Sequence, residues 1–235
     1  MSLTELVQNL CVSESTIRRD LEALEEQKVI RRTHGGAVFL QDSSSAHRLA
    51  FADRETSAAA EKAAIARAVA GLIRENQTVI LDGGTTCFQV ARSLQGRHLN
   101  VITNSVPIAS LLSTDVSTEV TLVGGYVYPR TGAALGSMTE QMLSSLHARS
   151  VILSCAGVTP EGAFNANQMM VDVERRMMAI ADEVILVADH TKFGMRAVVK
   201  LCELSDVDVI VTDAGAGAEV RSWLDRPGER VIYAE

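Results

Sequence analysis

The sequence has few prolines, no long apolar run and no closely spaced pair of cysteines, and its net charge is negative. No apolar run approaches the ~18 residues that a membrane-spanning helix needs, and no signal-peptide pattern opens the chain. The four cysteines are scattered without C-x-x-C spacing, which favours reduced thiols over a zinc site or a disulfide framework. The net charge of −7 argues against non-specific coating of nucleic acid. We expect a cytoplasmic protein with no membrane partner, no metal and no cofactor, in which any DNA contact comes from a local patch.

The composition is that of a folded protein with three zones. Of the 235 residues 47% are hydrophobic and only four are proline, which suits one domain of ordinary size with a small appendage. Residues 1–40 are charged and helical in pattern, and the polar, serine-rich stretch that follows predicts a linker over residues 41–57. Residues 58–235 change to a pattern of alternating strands and helices. This last zone is the candidate for the main folded domain.

The third zone predicts an α/β fold. Seven short β-branched runs read as strands, several of them almost continuously apolar, as expected for strands covered on both faces. Segments of helix length separate them. Repeated strand-then-helix order indicates a mainly parallel sheet layered with helices. The predicted strands cover residues 78–82, 100–103, 119–123, 150–156, 183–189, 208–213 and 230–234, and the helices cover 58–75, 87–94, 106–112, 138–147, 171–182 and 218–224.

Residues 12–38, VSESTIRRDLEALEEQKVIRRTHGGAV, combine an amphipathic helix with a glycine pair and two arginine pairs. Ser13 suits an N-cap, and Ile17, Leu21 and Leu24 share one apolar face at i, i+4 and i+7. The opposite face offers serine and arginine near the helix N-terminus, which suits the major groove, and KVIRRTHGGAV then predicts a β-hairpin wing. On the residues alone, a solvated surface helix is an equally good interpretation.

The same stretch resembles the winged helix-turn-helix signature of the DeoR family of bacterial repressors. In that signature V-S-x-x-T-I-R-R-D-L leads to R-x-H-G-G-A, and the match here is nearly continuous. Such domains carry a further helix before LTELVQNL, so we expect residues 1–40 to lack the first helix. The resemblance implies operator DNA as partner and a homodimer or homotetramer that pairs half-sites. The DNA-facing residues that it implies are Ser13, Ser15, Thr16, Arg18, Arg19, Arg31, Arg32 and His34.

Glycines and hydroxyl residues follow several predicted strands. In LDGGTTC, residues 81–87, the glycines let the backbone approach a ligand, and the threonines begin a helix whose amide groups favour an anion. The carboxyl ends of parallel strands meet at one edge of a sheet, where ligands bind in open α/β folds. We therefore expect a small anionic ligand there, with bare tight turns as the alternative. The loops that repeat the pattern are 103–105, 124–125 and 156–157.

Three charged residues add to this edge. Asp189 and Lys192 in ADHTKFG follow another predicted strand, and Arg175 lies on the helix before it. Lys192 either meets a phosphate or is a solvated loop lysine. Arg175 either faces the cleft or lies on the surface.

This half also resembles the sensor domain of the DeoR family, through EKAAIARAVAGLI, LDGGTTC, VITNS, LVGG, ERRM and ADHTKFG. That domain is related to the folds of ribose-5-phosphate isomerase and glucosamine-6-phosphate deaminase, whose glycine-threonine loop holds the sugar phosphate. The resemblance implies a phosphorylated sugar or sugar alcohol as effector; many members carry lysine where Glu174 stands. The expected effector-binding residues are Asp82, Gly83, Gly84, Thr85, Thr86, Thr103, Asn104, Ser105, Gly124, Gly125, Gly157, Arg175, Asp189 and Lys192.

Binding without turnover is the preferred interpretation. Isomerases of this kind abstract a proton with a carboxylate from a D-G-A-D loop, and the corresponding stretch here, CAGV at residues 155–158, contains no acid. We therefore predict a repressor of sugar metabolism, not an enzyme. The alternatives are a sugar-phosphate isomerase or deaminase, for which Asp82 would be the acid, and a sensor domain that has lost DNA binding.

Overall fold

The chain is organised as two compact units. The computed structural model describes residues 12–26, 30–33, 36–39, 51–225 and 230–235. The first unit comprises Met1–Arg48 and the second Leu49–Glu235. The second unit therefore begins inside the segment predicted as a linker, whose residues 51–56 are helical.

Among the described residues of the first unit, a helix is followed by a hairpin. Helix α1 spans Glu14–Glu26, and strands β1 (Ile30–Thr33) and β2 (Gly36–Phe39) pair antiparallel. Ile17 and Leu21 of α1 are buried, as their spacing predicts. The side chain of Leu24 and residues 1–11, which include the segment LTELVQNL, lie outside the described residues.

The second unit contains twelve further strands and seven α-helices within the described residues. The strands are β3 (Thr78–Leu81), β4 (Leu99–Thr103), β5 (Thr118–Leu122), β6 (Tyr126–Tyr128), β7 (Ala133–Leu135), β8 (Ala148–Ser154), β9 (Gly157–Thr159), β10 (Gly162–Asn165), β11 (Ala181–Val187), β12 (Val199–Cys202), β13 (Val209–Asp213) and β14 (Val231–Ala234). The helices are α2 (Phe51–Thr56), α3 (Ala59–Leu72), α4 (Thr85–Leu94), α5 (Val106–Leu112), α6 (Ser137–Leu143), α7 (Gln168–Ala179) and α8 (Ala218–Leu224).

A seven-stranded parallel sheet forms the centre of this unit. Its strand order is β14-β13-β11-β8-β3-β4-β5, and every neighbouring pair is parallel. The chain runs outward from β3 to β5 in one direction and from β8 to β14 in the other. The order therefore reverses between β3 and β8, and the crevice outside the carboxyl ends at such a reversal is the usual ligand site of open α/β sheets.

Helices cover both faces of the sheet. On one face, α3, α4 and α5 contribute Ile65, Val90 and Ile108 to a core that includes alternate residues of β3. On the other, α6, α7 and α8 contribute Leu143, Met177 and Leu224. Burial on both faces explains why the strands read as continuous apolar runs. The predicted mainly parallel α/β fold is confirmed.

Two groups of features differ from the sequence expectations. Helix α7 begins at Gln168 rather than at residue 171, because Asn167 caps it by accepting the amide N–H of Met170 at 3.0 Å. Helix α2 and the short strands β6, β7, β9, β10 and β12 were not predicted, since segments of three to six residues carry little periodicity.

Within the described ranges no helix combines the length and apolar content needed to traverse a bilayer, and no three metal-ligating side chains come together.

Candidate functional site

Asp82 lies at the point where the strand order reverses. It directly follows β3, and its Oδ2 accepts a hydrogen bond from the hydroxyl of Ser154, the last residue of β8, at 2.8 Å. The amide of Ser154 donates to the same oxygen at 3.3 Å. Burial raises the pKa of Asp82, although the bonds from Ser154 and the charge of Arg54 act in the opposite direction. This acid therefore joins the neighbouring strands β3 and β8 at the carboxyl edge of the sheet.

The glycine loop, residues 82–86, is shaped by contacts within the protein. A Cβ on Gly84 would lie 1.8 Å from the Oγ of Ser154, and one on Gly83 would lie 2.5 Å from the Cβ of Ala133. Thr85 and Thr86 are buried at the start of α4. Glycine is required here because the loop packs directly on β8 and β7, and a close approach of a ligand is not needed to explain it.

The loop after β4 contains two residues whose side chains form hydrogen bonds within the fold and one residue that keeps an unused acceptor. Thr103 donates its hydroxyl to the carbonyl of Leu81 at 2.7 Å and accepts the amide of Ser105, which in turn caps α5. These two residues are engaged by the fold. Asn104 donates Nδ2 to the carbonyl of Ala134 at 3.0 Å, but its Oδ1 is buried without a partner among the described residues. Asn104 is therefore the residue of this loop that retains an acceptor.

Three predicted glycines also serve packing or turn geometry. A Cβ on Gly125 would lie 2.1 Å from Oγ1 of Thr139, and one on Gly157 would lie 2.1 Å from the carbonyl oxygen of Met195. Gly124 accepts the hydroxyl of Thr139 through its carbonyl at 2.9 Å. Nothing in these contacts singles the three glycines out for a ligand.

The loop after β11 places Asp189 and Lys192 beside a lysine that was not predicted. Asp189 is buried and accepts the amide of Thr191 at 3.1 Å. Lys62, on α3, is also buried and donates to the carbonyl oxygens of Arg54 and Ser57. Burial lowers the pKa of Lys62, the Asp189 carboxylate opposes this shift, and the charge of Lys192 adds to it.

A second buried carboxyl group, that of Glu174, lies near Asp82. Asn165 of β10 donates its Nδ2 to Oε1 of Glu174 at 2.5 Å. Oε2 is buried without a partner among the residues that the structure describes. Burial and the neighbouring Asp82 raise the pKa of Glu174 well above its ordinary value. Glu174 therefore adds a further hydrogen-bonding group with spare capacity to the site.

Arg175 does not join these residues. Its guanidinium donates to the carbonyls of Lys200 and Leu201 in β12, at 2.8 and 2.9 Å. It lines a surface depression of about 400 Å³ together with Val184 of β11. The expectation that Arg175 contacts an effector is not supported by this position, because its helix neighbour Glu174 occupies the inward face of α7.

Two arginines from distant parts of the chain come together at the same edge. Arg54 of α2 donates Nη2 to the backbone carbonyl of Arg130, in the β6–β7 loop, at 3.1 Å. Burial and the charge of Arg130 lower the pKa of Arg54, whereas Asp82 and Tyr128 oppose the shift. We call Arg54 and Arg130 the arginine pair. Sequence reasoning missed it because 76 residues separate its members and neither belongs to a recognisable local motif.

In the first unit, the structure describes part of the expected DNA-facing set. The hydroxyl of Ser13 accepts the amide of Thr16 at 3.2 Å, which fits the predicted N-cap, and the side chains of Ser15, Thr16 and Arg19 are exposed. Ser13 also forms hydrogen bonds with the hydroxyls of Ser15 and Thr16. For Arg31 and Arg32 the structure describes only the backbone of β1. The side chain of Arg18 and all of His34 lie outside the described residues.

Each of the two units matches the model of a known domain family. Residues 57–214 match the DeoR C terminal sensor domain, and residues 1–43 match the DeoR-like helix-turn-helix domain. The chain belongs to the DeoR family. Proteins of this family are DNA-binding transcriptional regulators that contain a helix-turn-helix domain and a sensor domain.

Relatives of this DeoR protein extend over most of its length. The HTH-type transcriptional repressor CsqR of Escherichia coli is 36% identical over 100% of this chain and 90% of that protein. The repressor GlcR of Bacillus subtilis is 34% identical over 96% and 87%. The glycerol-3-phosphate regulon repressor of Escherichia coli is 35% identical over 91% and 84%.

Solved structures resemble the DeoR chain only distantly. Ribose 5 phosphate isomerase A from Neisseria gonorrhoeae is 14% identical, with a TM-score of 0.40 over 57% of this chain and 53% of that one. eIF2B delta from Chaetomium thermophilum is 18% identical, with a TM-score of 0.43 over 59% and 50%.

Proposed function

We propose that this protein is a repressor whose operator binding is modulated by a phosphorylated sugar or sugar alcohol. The effector would bind at the carboxyl edge of the sheet, between β3 and β8. The observation that carries the proposal is the set of unused polar atoms at this edge. Asn104 Oδ1 and Glu174 Oε2 are buried acceptors without partners among the described residues, and the arginine pair has buried N–H groups in the same condition. Burying such groups unpaired is costly, so they fit a polar ligand.

The chemistry of the atoms fits a polyol phosphate. Hydroxyl groups donate hydrogen bonds, and Asp82, Asn104 and Glu174 offer oxygens that can accept them. A phosphate group needs cations and N–H donors, which Arg54, Arg130 and Lys192 carry. One relative is named as the repressor of a regulon for glycerol-3-phosphate, which is a phosphorylated sugar alcohol. The same class of effector is the proposal for this chain.

The first unit would read the operator. Exposed Ser15, Thr16 and Arg19 lie in the first half of α1, where a recognition helix contacts the major groove. The β1–β2 hairpin would place Arg31 and Arg32 beside the phosphates. We propose a cytoplasmic homodimer or homotetramer, since paired half-sites require symmetry. Effector binding would then shift the population toward a state that does not bind DNA.

Operator reading is tested with the variant Arg19→Ala. An operator is first selected from a pool of random DNA duplexes by the wild-type protein. We expect Arg19→Ala to abolish retardation of that DNA in a gel while leaving effector binding unchanged. The control Arg149→Ala removes an exposed arginine of the second unit and should retain wild-type retardation. Unchanged retardation by Arg19→Ala would contradict the assignment of α1 to the groove.

Effector binding is tested by thermal unfolding against a panel of phosphorylated sugars, polyols and aldonates. A ligand that binds only the folded state raises the free energy of unfolding with the logarithm of its excess over Kd, by about 2.7 kcal/mol at a hundredfold excess. We expect one or more phosphorylated members to raise Tm and to release the operator. If no phosphorylated member does either, the proposed effector class is wrong.

An isomerase-like enzyme is the second candidate, and one observation favours it. Asp82 and Glu174 are two buried carboxyl groups close enough to interact, and a carboxyl of raised pKa suits general acid–base chemistry. Incubation with ribose 5-phosphate should show no conversion if the protein only binds its effector. Turnover that disappears in Asp82→Asn would establish the enzyme instead.

A further inference from the structure

Arg54 is held in place by the packing of helix α2. Phe51, one turn before it, contacts the ring of Phe88 edge-on with 5.5 Å between the ring centroids. Glu55 forms a salt bridge with Arg92 at 3.2 Å, again from α2 to α4. Lys62 donates to the carbonyls of Arg54 and Ser57 at the end of α2. The first two contacts fix α2 on α4, which begins in the glycine loop, and the third attaches the end of α2 to α3.

Arg130 is brought to the same place by the β6–β7 hairpin. The hairpin turn is closed by bonds from the amides of Thr131 and Gly132 to the carbonyl of Tyr128, at 3.2 and 2.9 Å. Ala133, three residues after Arg130, packs directly against Gly83. Asn104 and Ala134 exchange two hydrogen bonds, at 2.7 and 3.0 Å, which attach the hairpin to the loop after β4. Arg130 thus belongs to the wall of the glycine loop.

The arginine pair retains hydrogen-bonding capacity. The Nε of Arg54 and the Nη2 of Arg130 are both buried and have no partner within the described residues. The like charges of the two guanidinium groups repel, and the bond from Arg54 to the backbone carbonyl of Arg130 offsets only part of that cost. Asp82 attracts Arg54, but one of its oxygens already accepts two bonds from Ser154. A group with more than one negative charge and several oxygens would satisfy both arginines.

We infer that Arg54 and Arg130 together bind the phosphate group of the effector. A phosphate monoester carries about −1.5 to −2 charges at neutral pH and three acceptor oxygens, which matches two guanidinium groups. The inference rests on the proposed function and makes it more specific. It assigns the phosphate to the arginines and leaves the buried acceptors Asp82, Asn104 and Glu174 to the hydroxyl groups of the effector.

The position of Arg54 gives this assignment a regulatory consequence. Among the described residues, α2 is the first helix of the second unit in chain order, and it begins two residues after the start of that unit at Leu49. A phosphate held by Arg54 of α2 and by Arg130 of the hairpin would restrain the part of the second unit that is closest in sequence to the DNA-binding unit. Effector occupancy would therefore act first on that segment.

The test compares Arg130→Met and Arg54→Met with wild type in the full chain. Inorganic phosphate and the phosphorylated panel are the probes, and sodium chloride of equal ionic strength is the salt control. We expect phosphate to raise the Tm of wild type and to fail to do so in either variant. For a panel member that stabilises wild type, each variant should bind about ten- to a hundredfold more weakly, because a hydrogen bond to a charged group is lost. Arg176→Met, which removes an exposed arginine of α7, should bind as wild type does.

The outcomes separate this inference from the proposed function. If a phosphorylated sugar stabilises wild type, Arg54→Met and Arg130→Met equally, the arginine pair does not hold the phosphate although the effector class stands. If aldonates without a phosphate group stabilise wild type as well as phosphorylated sugars do, the pair is not selective for phosphate and the inference is overturned. If no phosphorylated member acts on wild type, the proposed function itself fails. Circular dichroism of both variants checks the fold, and Arg130→Met alone decides should Arg54→Met unfold.

Discussion

The glycine loop and the arginine pair lie at the same edge of the sheet, but they differ in how their atoms are engaged. The loop is packed and hydrogen-bonded within the protein, whereas the arginine pair keeps N–H groups without partners among the described residues. In the loop, Gly84 is packed against Ser154, and Asp82 already accepts two hydrogen bonds from Ser154. In the arginine pair, one buried N–H group on each side chain has no partner among the described residues. The comparison indicates that the loop builds the floor of the site and that the arginine pair and its neighbours provide the capacity to bind.

The largest effect is expected when the loop is broken with Gly84→Ala. The new methyl group would lie 1.8 Å from the Oγ and 2.6 Å from the Cβ of Ser154, so β8 or the loop must move. We expect the free energy of unfolding to fall by about 2–4 kcal/mol in urea titrations. Gly71→Ala is the control, since a Cβ there meets nothing within 4 Å and alanine should favour helix α3 by about 0.5–1 kcal/mol. A wild-type urea midpoint for Gly84→Ala would show that the loop is not packed as described.

Thr103→Val tests whether the loop after β4 also belongs to the floor. The change removes the hydroxyl that donates to the carbonyl of Leu81 and accepts the amide of Ser105, so both hydrogen bonds are lost in a buried loop. We expect a loss of about 1–3 kcal/mol in the free energy of unfolding. Thr103→Ser, which keeps the hydroxyl, should lose much less. Equal losses in the two variants would mean that the methyl group, not the hydrogen bonds, matters.

Glu174→Gln tests the pH dependence that a buried carboxyl imposes. Because the pKa of Glu174 is raised in the folded state, its contribution to stability is fully present below the ordinary pKa and is lost as the pH rises through the folded pKa. Glutamine can still accept from Asn165 and has no charge to bury. We expect Tm at pH 8 to rise by about 2–4 °C, which corresponds to a gain of roughly 1 kcal/mol, with no gain at pH 4.

The matched control for this change is Glu119→Gln. Glu119 is exposed on β5, so its replacement should leave the pH profile of Tm unaltered. A gain of the same size at pH 4 and pH 8 in Glu174→Gln would show that titration of Glu174 is not the cause.

The smallest effect on stability is expected at the arginine pair. Arg130→Met removes a buried N–H group without a partner and relieves repulsion with Arg54, and these gains should offset the lost contacts. We expect a urea midpoint that corresponds to a change within about 0.5 kcal/mol of wild type in the absence of ligand. A loss as large as that of Gly84→Ala would place the pair in the folding core and remove its distinction from the glycine loop.

The seven strands of the central sheet could be predicted from the sequence because each is a β-branched, apolar run. Burial on both faces selects such residues locally, as Val79, Ile80 and Leu81 illustrate. The residues at the strand ends that could be predicted were those in local motifs, including Asp82, Asn104 and Lys192. Helix α2 and the β6–β7 hairpin could not be predicted, since six-residue and three-residue segments show no clear period.

The sequence by itself determined the fold class of this protein, because hydrophobic periodicity and the turn residues after each strand act over a few neighbouring positions. Only the tertiary structure decided which polar atoms are already used and which are not. Whether a glycine contacts a ligand or a serine, and whether an arginine contacts solvent or the backbone of a second arginine 76 residues away, depends on how distant segments pack together. No local pattern encodes that packing, because the energy of a buried polar group depends on all of its neighbours in space.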